Sequence, residues 1–474
     1  MLKLAHRIVL VFLLCTLVGA SGALSQSLGD KATPTPDPSQ KYNGFGGGLG
    51  ASIFNGKPYL LIAIKPQYEF WGTLGIGIDG NLRFGRDGKF RKEDFNTAYD
   101  VLRWINYIRI GHPGEDLYAR IGGINNVSLG HGTIVDNYTN NSSYDARRVG
   151  LVGRIDLGFA GAEGLSSDIL LNKSLIAGRG FARPFELIPV IGKLWFFRNF
   201  EIGATASFDF DSNATRIIPN HEPYVRDFKV LNGDQLTDSL AILRDSVKLK
   251  SPFAIYGVDL GMMVWQSEKV EGKIYGDYVR IANFNDGLIV GARTSFLVDS
   301  TTFIDLRLER DFYRNRFIPN YYNSFYERER FNDDISPYDY LTKTTKLSDT
   351  SGGNGNGFKA GAYVDFSDMV QAGLTYKHLD NLRHNDILTV SLTFPNIWWT
   401  FYGALDYQRR NIDGPGDYFG FDDNTQAAAR LSAQPFKFLT LTLIARWSWT
   451  RDPETNHVSR QTIIEPKANV ILRF

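Results

Sequence analysis

From Tyr42 onward the chain is a succession of runs in which apolar and polar residues alternate. Leu74, Ile76 and Ile78 alternate with Gly75, Gly77 and Asp79; Ile202, Ala204, Ala206, Phe208 and Phe210 with Glu201, Thr205, Ser207 and Asp209. Ile304, Leu306 and Leu308 alternate with Asp305, Arg307 and Glu309, and Leu439, Leu441, Leu443, Ala445, Trp447 and Trp449 with Thr440, Thr442, Arg446 and Ser448. A period of two is that of a β-strand whose faces meet different media. Many runs last about 9–14 residues, longer than a soluble strand and long enough to cross a bilayer at a tilt. The count of runs predicts an all-β protein of about 18–20 strands, with 16–20 as the range.

The last run ends the chain on its apolar face. Phe474, Leu472, Val470, Ala468 and Ile464 fall on one side, and Arg473, Asn469, Lys467 and Glu465 on the other. At the other end Lys3 and Arg7 precede an apolar run from Ile8 to Val18 and the small residues Gly19 to Ala23, the pattern of a secretory signal. That run is too short for a spanning helix. Together these ends resemble Gram-negative outer-membrane β-barrels. The resemblance implies a single transmembrane antiparallel up-and-down barrel, with Phe474, Leu472 and Val470 as the signal read by the barrel-assembly machinery. The expected division is a signal peptide over 1–25, a flexible leader over 26–41 and the barrel over 42–474.

Such barrels have short periplasmic turns and long extracellular loops. With both ends periplasmic, the long connections near 86–98, 126–146, 212–252, 314–356, 411–424 and 451–460 all fall outside. The tight ones at Trp71–Thr73, Ser367–Met369, Pro395–Asn396 and Pro435–Lys437 all fall inside. The segment 184–198 is the exception, long yet periplasmic. Trp71, Trp398, Trp399, Phe70, Phe394 and Phe438 sit beside the inner turns, where interfacial aromatics belong.

Composition agrees with a wall half polar and half apolar. Aromatics make up 14%, charged residues 22% and glycine 47 of 474 positions, and the mean hydropathy is −0.21. The sole cysteine, Cys15, lies in the signal segment, which leaves the mature chain without thiol chemistry. A net charge of +1 argues against nucleic acid as a partner.

If the apolar face meets lipid, the other face lines the lumen. The candidates there are Arg103, Arg109, Arg120, Arg148, Arg154, Arg307 and Arg446, with Asp156, Asp305 and Glu309. Mixed signs predict a wet, ion-paired wall without strong ion preference. The aromatic segment Phe317 to Arg330 is a candidate for packing on the rim, narrowing the lumen or stacking on a ligand such as a sugar ring, and the glycine-bearing segment Gly122 to Tyr138 breaks strand alternation and is a candidate inward-folded loop. Ser128 with His131 is too thin a set for hydrolysis, lacking a third partner. His378, Asp380, His384 and Asp386 share an outer loop better read as a solvated turn than a metal site. The expectation is a porin-like passive channel for small polar solutes, with outer-membrane lipid as partner and neither enzyme activity nor cofactor. The alternatives are a closed barrel acting in adhesion through its long loops, a barrel hydrolase, and a lateral opening for hydrophobic compounds at a kink made by Pro466.

Overall fold

The computed structural model describes residues 43–170, 174–188, 199–210, 252–330, 353–367, 369–380, 386–397, 400–451 and 458–473, with isolated positions between. The signal segment, the leader, Trp398, Trp399 and Phe474 lie outside the described residues. The strands are β1 (Gly44–Phe54), β2 (Lys57–Phe70), β3 (Leu74–Ile78 and Gly80–Phe84), β4 (Ile105–Ile110), β5 (Leu117–Gly122), β6 (Gly150–Asp156) and β7 (Ala160–Ser166). Next come β8 (Leu175–Ala182), β9 (Glu201–Asp209), β10 (Phe253–Gln266), β11 (Val270–Ile281), β12 (Asp286–Leu297), β13 (Thr302–Tyr313) and β14 (Gly355–Phe366). The last six are β15 (Val370–Leu379), β16 (Ile387–Ile397), β17 (Phe401–Arg410), β18 (Thr425–Phe436), β19 (Leu439–Arg451) and β20 (Val458–Arg473). The two pieces of β3 count as one strand because both pair with β2, and Asp79 lies between them.

Each strand pairs antiparallel with the next, and β1 pairs with β20 from Gly44↔Arg473 to Phe54↔Ile463. The result is a closed barrel of twenty strands, an arrangement with no free edge. On β13 the two faces separate cleanly: Leu306 and Leu308 are 45% and 61% exposed, while Asp305 and Glu309 are 6% and 3%. Apolar residues therefore face outward and charged ones inward, the inverse of a soluble core and the arrangement lipid requires. Trp449 departs from the expected outward row. It is buried against Val458 and Ala146, and its indole donates to Ser142 Oγ at 3.0 Å.

The connections sort by end as the alternation implies. The terminus end, at which β1 begins and β20 ends, has the turns after Phe70, Phe366, Ile397 and Phe436 and, as its one long connection, that between Ala182 and Glu201; the other long connections lie at the opposite end, called here the loop end. Pro395 and Pro435 fall inside β16 and β18 rather than in the turns, each beside an irregularity in the ladder register, where Pro is tolerated. At the loop end β1 and β2 join through Asn55–Gly56, both at positive φ (47° and 78°), as a two-residue hairpin requires. Exposed aromatics form two belts. Phe45, Tyr68, Phe70, Trp71, Trp265, Phe366, Phe436 and Phe438 ring the terminus end, and Phe208, Phe210, Tyr256, Tyr278 and Phe312 the loop end.

Two features depart from a plain barrel. The connection 411–424 folds back on the outer wall, where Ile412 and Tyr418 cover Leu388 and Tyr407, and Tyr407 donates to the Gly420 carbonyl at 2.9 Å. At the closing seam Pro466 lacks a donor, yet β20 keeps one register with β1 and with β19 across it. Gly50 lets the chains approach there, since a Cβ on it would lie 2.3 Å from the Pro466 carbonyl. Among the described residues the seam has no displaced strand that would make a lateral opening.

The lipid-facing wall yields a test. Leu308→Arg, near the middle of β13, should cost about 2–4 kcal/mol of folding free energy in a bilayer. Urea titration of the protein refolded into liposomes measures this, and an unchanged midpoint would contradict the orientation.

Candidate functional site

The barrel interior is partly filled by the chain itself. Segments 123–149 and 315–330 enter from the loop end and pair with each other through a short parallel bridge, Val135↔Tyr322. Asp136 N donates to the Tyr322 carbonyl at 2.9 Å, and Tyr322 N to the Ile134 carbonyl at 3.0 Å. Val135, Tyr138, Tyr322, Phe325 and Tyr326 are fully buried. They pack on inward residues near the loop ends of their strands, among them Leu175, Phe253, Ile281, Tyr313 and Leu379. Both segments fold inward as a plug, which accounts for the broken alternation of Gly122–Tyr138 and the aromatic density of Phe317–Arg330.

Charged groups fix the plug to the wall. Arg330 donates to Asp209 at 2.9 Å and to Glu327 at 3.1 Å, with both members of the Arg330–Asp209 pair inaccessible to solvent. Tyr326 also donates to Asp209, and Tyr138 to Glu327 at 2.5 Å. From β13, β14 and β15, Arg307 bonds the His131 carbonyl, Lys359 the Asp136 carboxylate and Lys377 the Pro319 carbonyl. Burial alone would push the Glu327 carboxyl up. Arg330 and Arg148 more than offset this and hold it below the usual carboxylate range.

The residues proposed from sequence do not form one site. Arg109 is paired with Glu69, and Arg120 donates to the Asn106 carbonyl at 3.3 Å. Arg154 lies 3.4 Å from Asp156, which also accepts from Arg183 at 2.9 Å. Asp305 is held by Arg293 at 2.9 Å and Ser295 at 2.6 Å. Arg307 and Glu309 pair with each other and with Tyr275. Arg103 and Arg148 lie in connections rather than on strands, because each sits outside the ladder that the alternation assumed. Arg103 binds Asp100 and the Arg147 carbonyl, and Arg148 stands 3.7 Å from Glu327. Arg446 alone of the set makes no hydrogen bond or ion pair among the described residues.

Sequence reasoning missed the group at the base of the plug. Arg179 grips Asp259 through both carboxylate oxygens (2.6 and 3.0 Å) and reaches Glu201 at 2.7 Å. His131 Nδ1 lies 3.2 Å from Asp277, the cross-strand partner of Asp259, and its ring stacks on Tyr275 at 4.2 Å. His131, Asp259 and Asp277 could together hold a metal ion, their ligand atoms lying within 4.8 Å of one another. The guanidinium on Asp259 already supplies the positive charge such a site would need. Ser128 bonds Asp136 at 3.1 Å, so it and His131 are engaged separately. His378 is bracketed by Asp386 at 2.7 Å and Asp380 at 3.1 Å, and His384 lies outside the described residues.

The plug does not fill the lumen: at its base a cavity of about 260 Å³ is lined by His131, Glu163, Arg179, Lys273, Arg293 and Arg307 among others, and two more lie on the side of β17–β20 and β1–β3. Between the plug and β17–β19 lies the first of these two, a cavity of about 380 Å³, lined by Asn125, Asn141, Tyr402, Asp406, Gln408 and Arg446 among others. A second of about 220 Å³ lies between the plug and β2, β3 and β20, and shares Asn125, Asn141, Tyr144, Arg430, Ile444 and Arg446 with the first. On β17 the first cavity extends from Tyr402, one residue from the terminus end of the strand, to Gln408, two from the loop end. Six residues of strand span about 20 Å along the strand, which at the usual tilt is roughly half the depth of a bilayer core.

No family model and no curated protein matches this chain. Solved structures do. Wzi of Escherichia coli, described as an outer-membrane carbohydrate-binding β-barrel involved in group 1 capsule assembly, is 10% identical, with 93% of this chain and 90% of that chain covered at a TM-score of 0.35. OpdL of Pseudomonas aeruginosa is 8% identical over 90% and 96% at 0.33, and OccK11 of the same organism 11% over 91% and 99% at 0.29. The class of this protein is defined by its own strand pairing and lipid-ready exterior: it is a transmembrane β-barrel of the outer-membrane type.

Two measurements test the plug. Arg330→Ala strands Asp209 without its guanidinium and should cost about 3–5 kcal/mol of plug docking, read as higher conductance and faster trypsin cleavage within 123–149. Glu327 has a folded pKa below its unfolded value, so its contribution is present above the unfolded value and lost as pH falls through the folded one. Current noise should therefore rise below about pH 4 and not at alkaline pH.

Proposed function

We propose that this protein is a porin-like passive channel of the Gram-negative outer membrane, carrying small polar solutes past its plug. The observation that carries this reading is the off-centre cleft, which follows β17 over roughly half the depth of a bilayer core between walls that include Asp406, Gln408, Gln426 and Arg446. The loop end faces outward from the cell in this reading and the terminus end faces the periplasm, as the sorting of long and short connections favours. The lumen candidates then divide by role. Arg109, Arg120, Arg154, Asp156, Asp305 and Glu309 neutralise one another or their neighbours in the wall, Arg307 and Arg148 steady the plug, and Arg446 with Arg103 lines the path. The signal segment exports the chain. Phe474, with Val470 and Leu472 on the outer face of β20, guides insertion by the barrel-assembly machinery.

Mature protein refolded into a planar bilayer should give stepwise openings. Ala428→Trp, which points a large ring into the cleft beside Arg446, should reduce the unit conductance sharply while heat-modifiability is retained. A silent barrel, or one indifferent to Ala428→Trp, would contradict passage by this route.

A further inference from the structure

The cleft carries more basic than acidic groups. Arg430 and Arg446 line both cavities, and the lower one adds Lys65, Lys467 and three arginines from the connections, Arg103, Arg147 and Arg148. The acids that line the two cavities are Asp406, Asp79 and Glu465. Two of these are already engaged. Asp79 takes Lys65 at 3.0 Å, and Glu465 takes Arg83 at 2.6 Å with Lys467 3.8 Å away. Arg103 and Arg148 have the buried partners Asp100 and Glu327.

Arg430 lies diagonal to Asp406 on the inner face of β17 and β18, which leaves Arg147 and Arg446. Both line the lower cavity, one from the plug and one from β19, and neither makes an ion pair among the described residues. Arg147 donates to the Tyr144 carbonyl at 2.7 Å, and its guanidinium lies flat over the Tyr144 ring at 3.9 Å, which holds the group in place without cancelling its charge. Arg446 is solvent-exposed although it faces the interior, so water fills the space in front of it. Asparagines 125 and 141 and the hydroxyls of Ser142 and Ser448 line the space beside them with neutral polar groups. Two guanidinium groups that line one cavity without an ion pair among the described residues attract anions and repel cations. Their planar forks suit a carboxylate or other oxyanion better than a neutral solute.

We infer that the cleft is an anion path whose Arg147 and Arg446 select small solutes bearing a carboxylate, such as acidic sugars. The inference rests on the channel reading above and gives that channel its substrate class. Its test separates the two. Single-channel recordings in a potassium chloride gradient should give a reversal potential on the anion side, with a chloride-over-potassium permeability ratio well above one. Millimolar glucuronate should block the chloride current, and glucose should not. Arg147→Gln with Arg446→Gln should bring the ratio towards one and abolish the block while openings persist. Arg147→Lys with Arg446→Lys should keep the ratio and weaken the block, which separates charge from fork geometry and controls for misfolding. Openings with no anion preference, or a preference that survives the double Gln change, would overturn the inference and leave the channel standing. The absence of any openings would overturn both.

Discussion

The constraint on which everything else depends is that backbone polar groups inside lipid must find partners within the protein. Twenty strands meet it only because the first and last close on each other, and the β1–β20 seam is where closure is hardest. Pro466 removes a donor there, and Gly50 accommodates the close approach of its carbonyl. Ser52 adds a side-chain bond to Glu465 at 2.9 Å, and Glu465 in turn anchors Arg83, which donates to Tyr144 at 2.7 Å. The seam is thereby tied to the plug segment. Closure and the geometry of the lower cavity share residues, so a weak point in the ladder is reinforced by the groups that shape the lumen.

A closed wall with apolar residues outside leaves a large interior to fill. A barrel of this width encloses more space than its own inward side chains occupy. Here the surplus is divided. On the β8–β15 side the two inward segments supply a core of aromatics, and buried ion pairs fasten them. On the β17–β20 and β1–β3 side the wall carries small or amide-bearing residues, such as Ala404, Ala428 and Gln426, and cavities take the place of packing. Buried pairs such as Arg330–Asp209 add little net stability compared with apolar packing, but losing one partner is costly. They therefore make the plug an all-or-none object, suited to a fixed constriction.

Alternation made the wall legible. It depends only on which face meets lipid, and residues such as Leu306, Leu308, Ile464 and Val470 report that directly. The sorting of connections followed from parity alone. Alternation could not say which inward residues meet each other, since partners such as Arg179 and Asp259 lie 80 positions apart. Nor could it place Arg103 and Arg148, which belong to connections where the period of two has no meaning. A signal for the plug was nevertheless present. Towards their loop ends some strands place apolar residues on both faces, as in Ile255 beside Tyr256 and Val279 beside Tyr278. A wall exposed to water on one side has no reason to carry that pattern, but a wall covered on both sides does.

The connection 411–424 obeys the same logic in reverse. Its outward fold buries Tyr407 and Leu388, which alternation assigns to lipid, and brings Phe419 and Phe421, 77% and 60% exposed, to the outer surface in their place. Arg409, on that outer face, is paired with Asp422 of the same connection at 2.8 Å, and Trp447 donates to the Asp422 carbonyl at 3.1 Å. A guanidinium on the outer wall is tolerable only near an interface, where charge can meet water. Its position, one residue from the end of β17, places the boundary of the apolar band just below the connection. The cleft on the inner face of the same strands therefore has Gln408 and Gln426 at its end near that boundary.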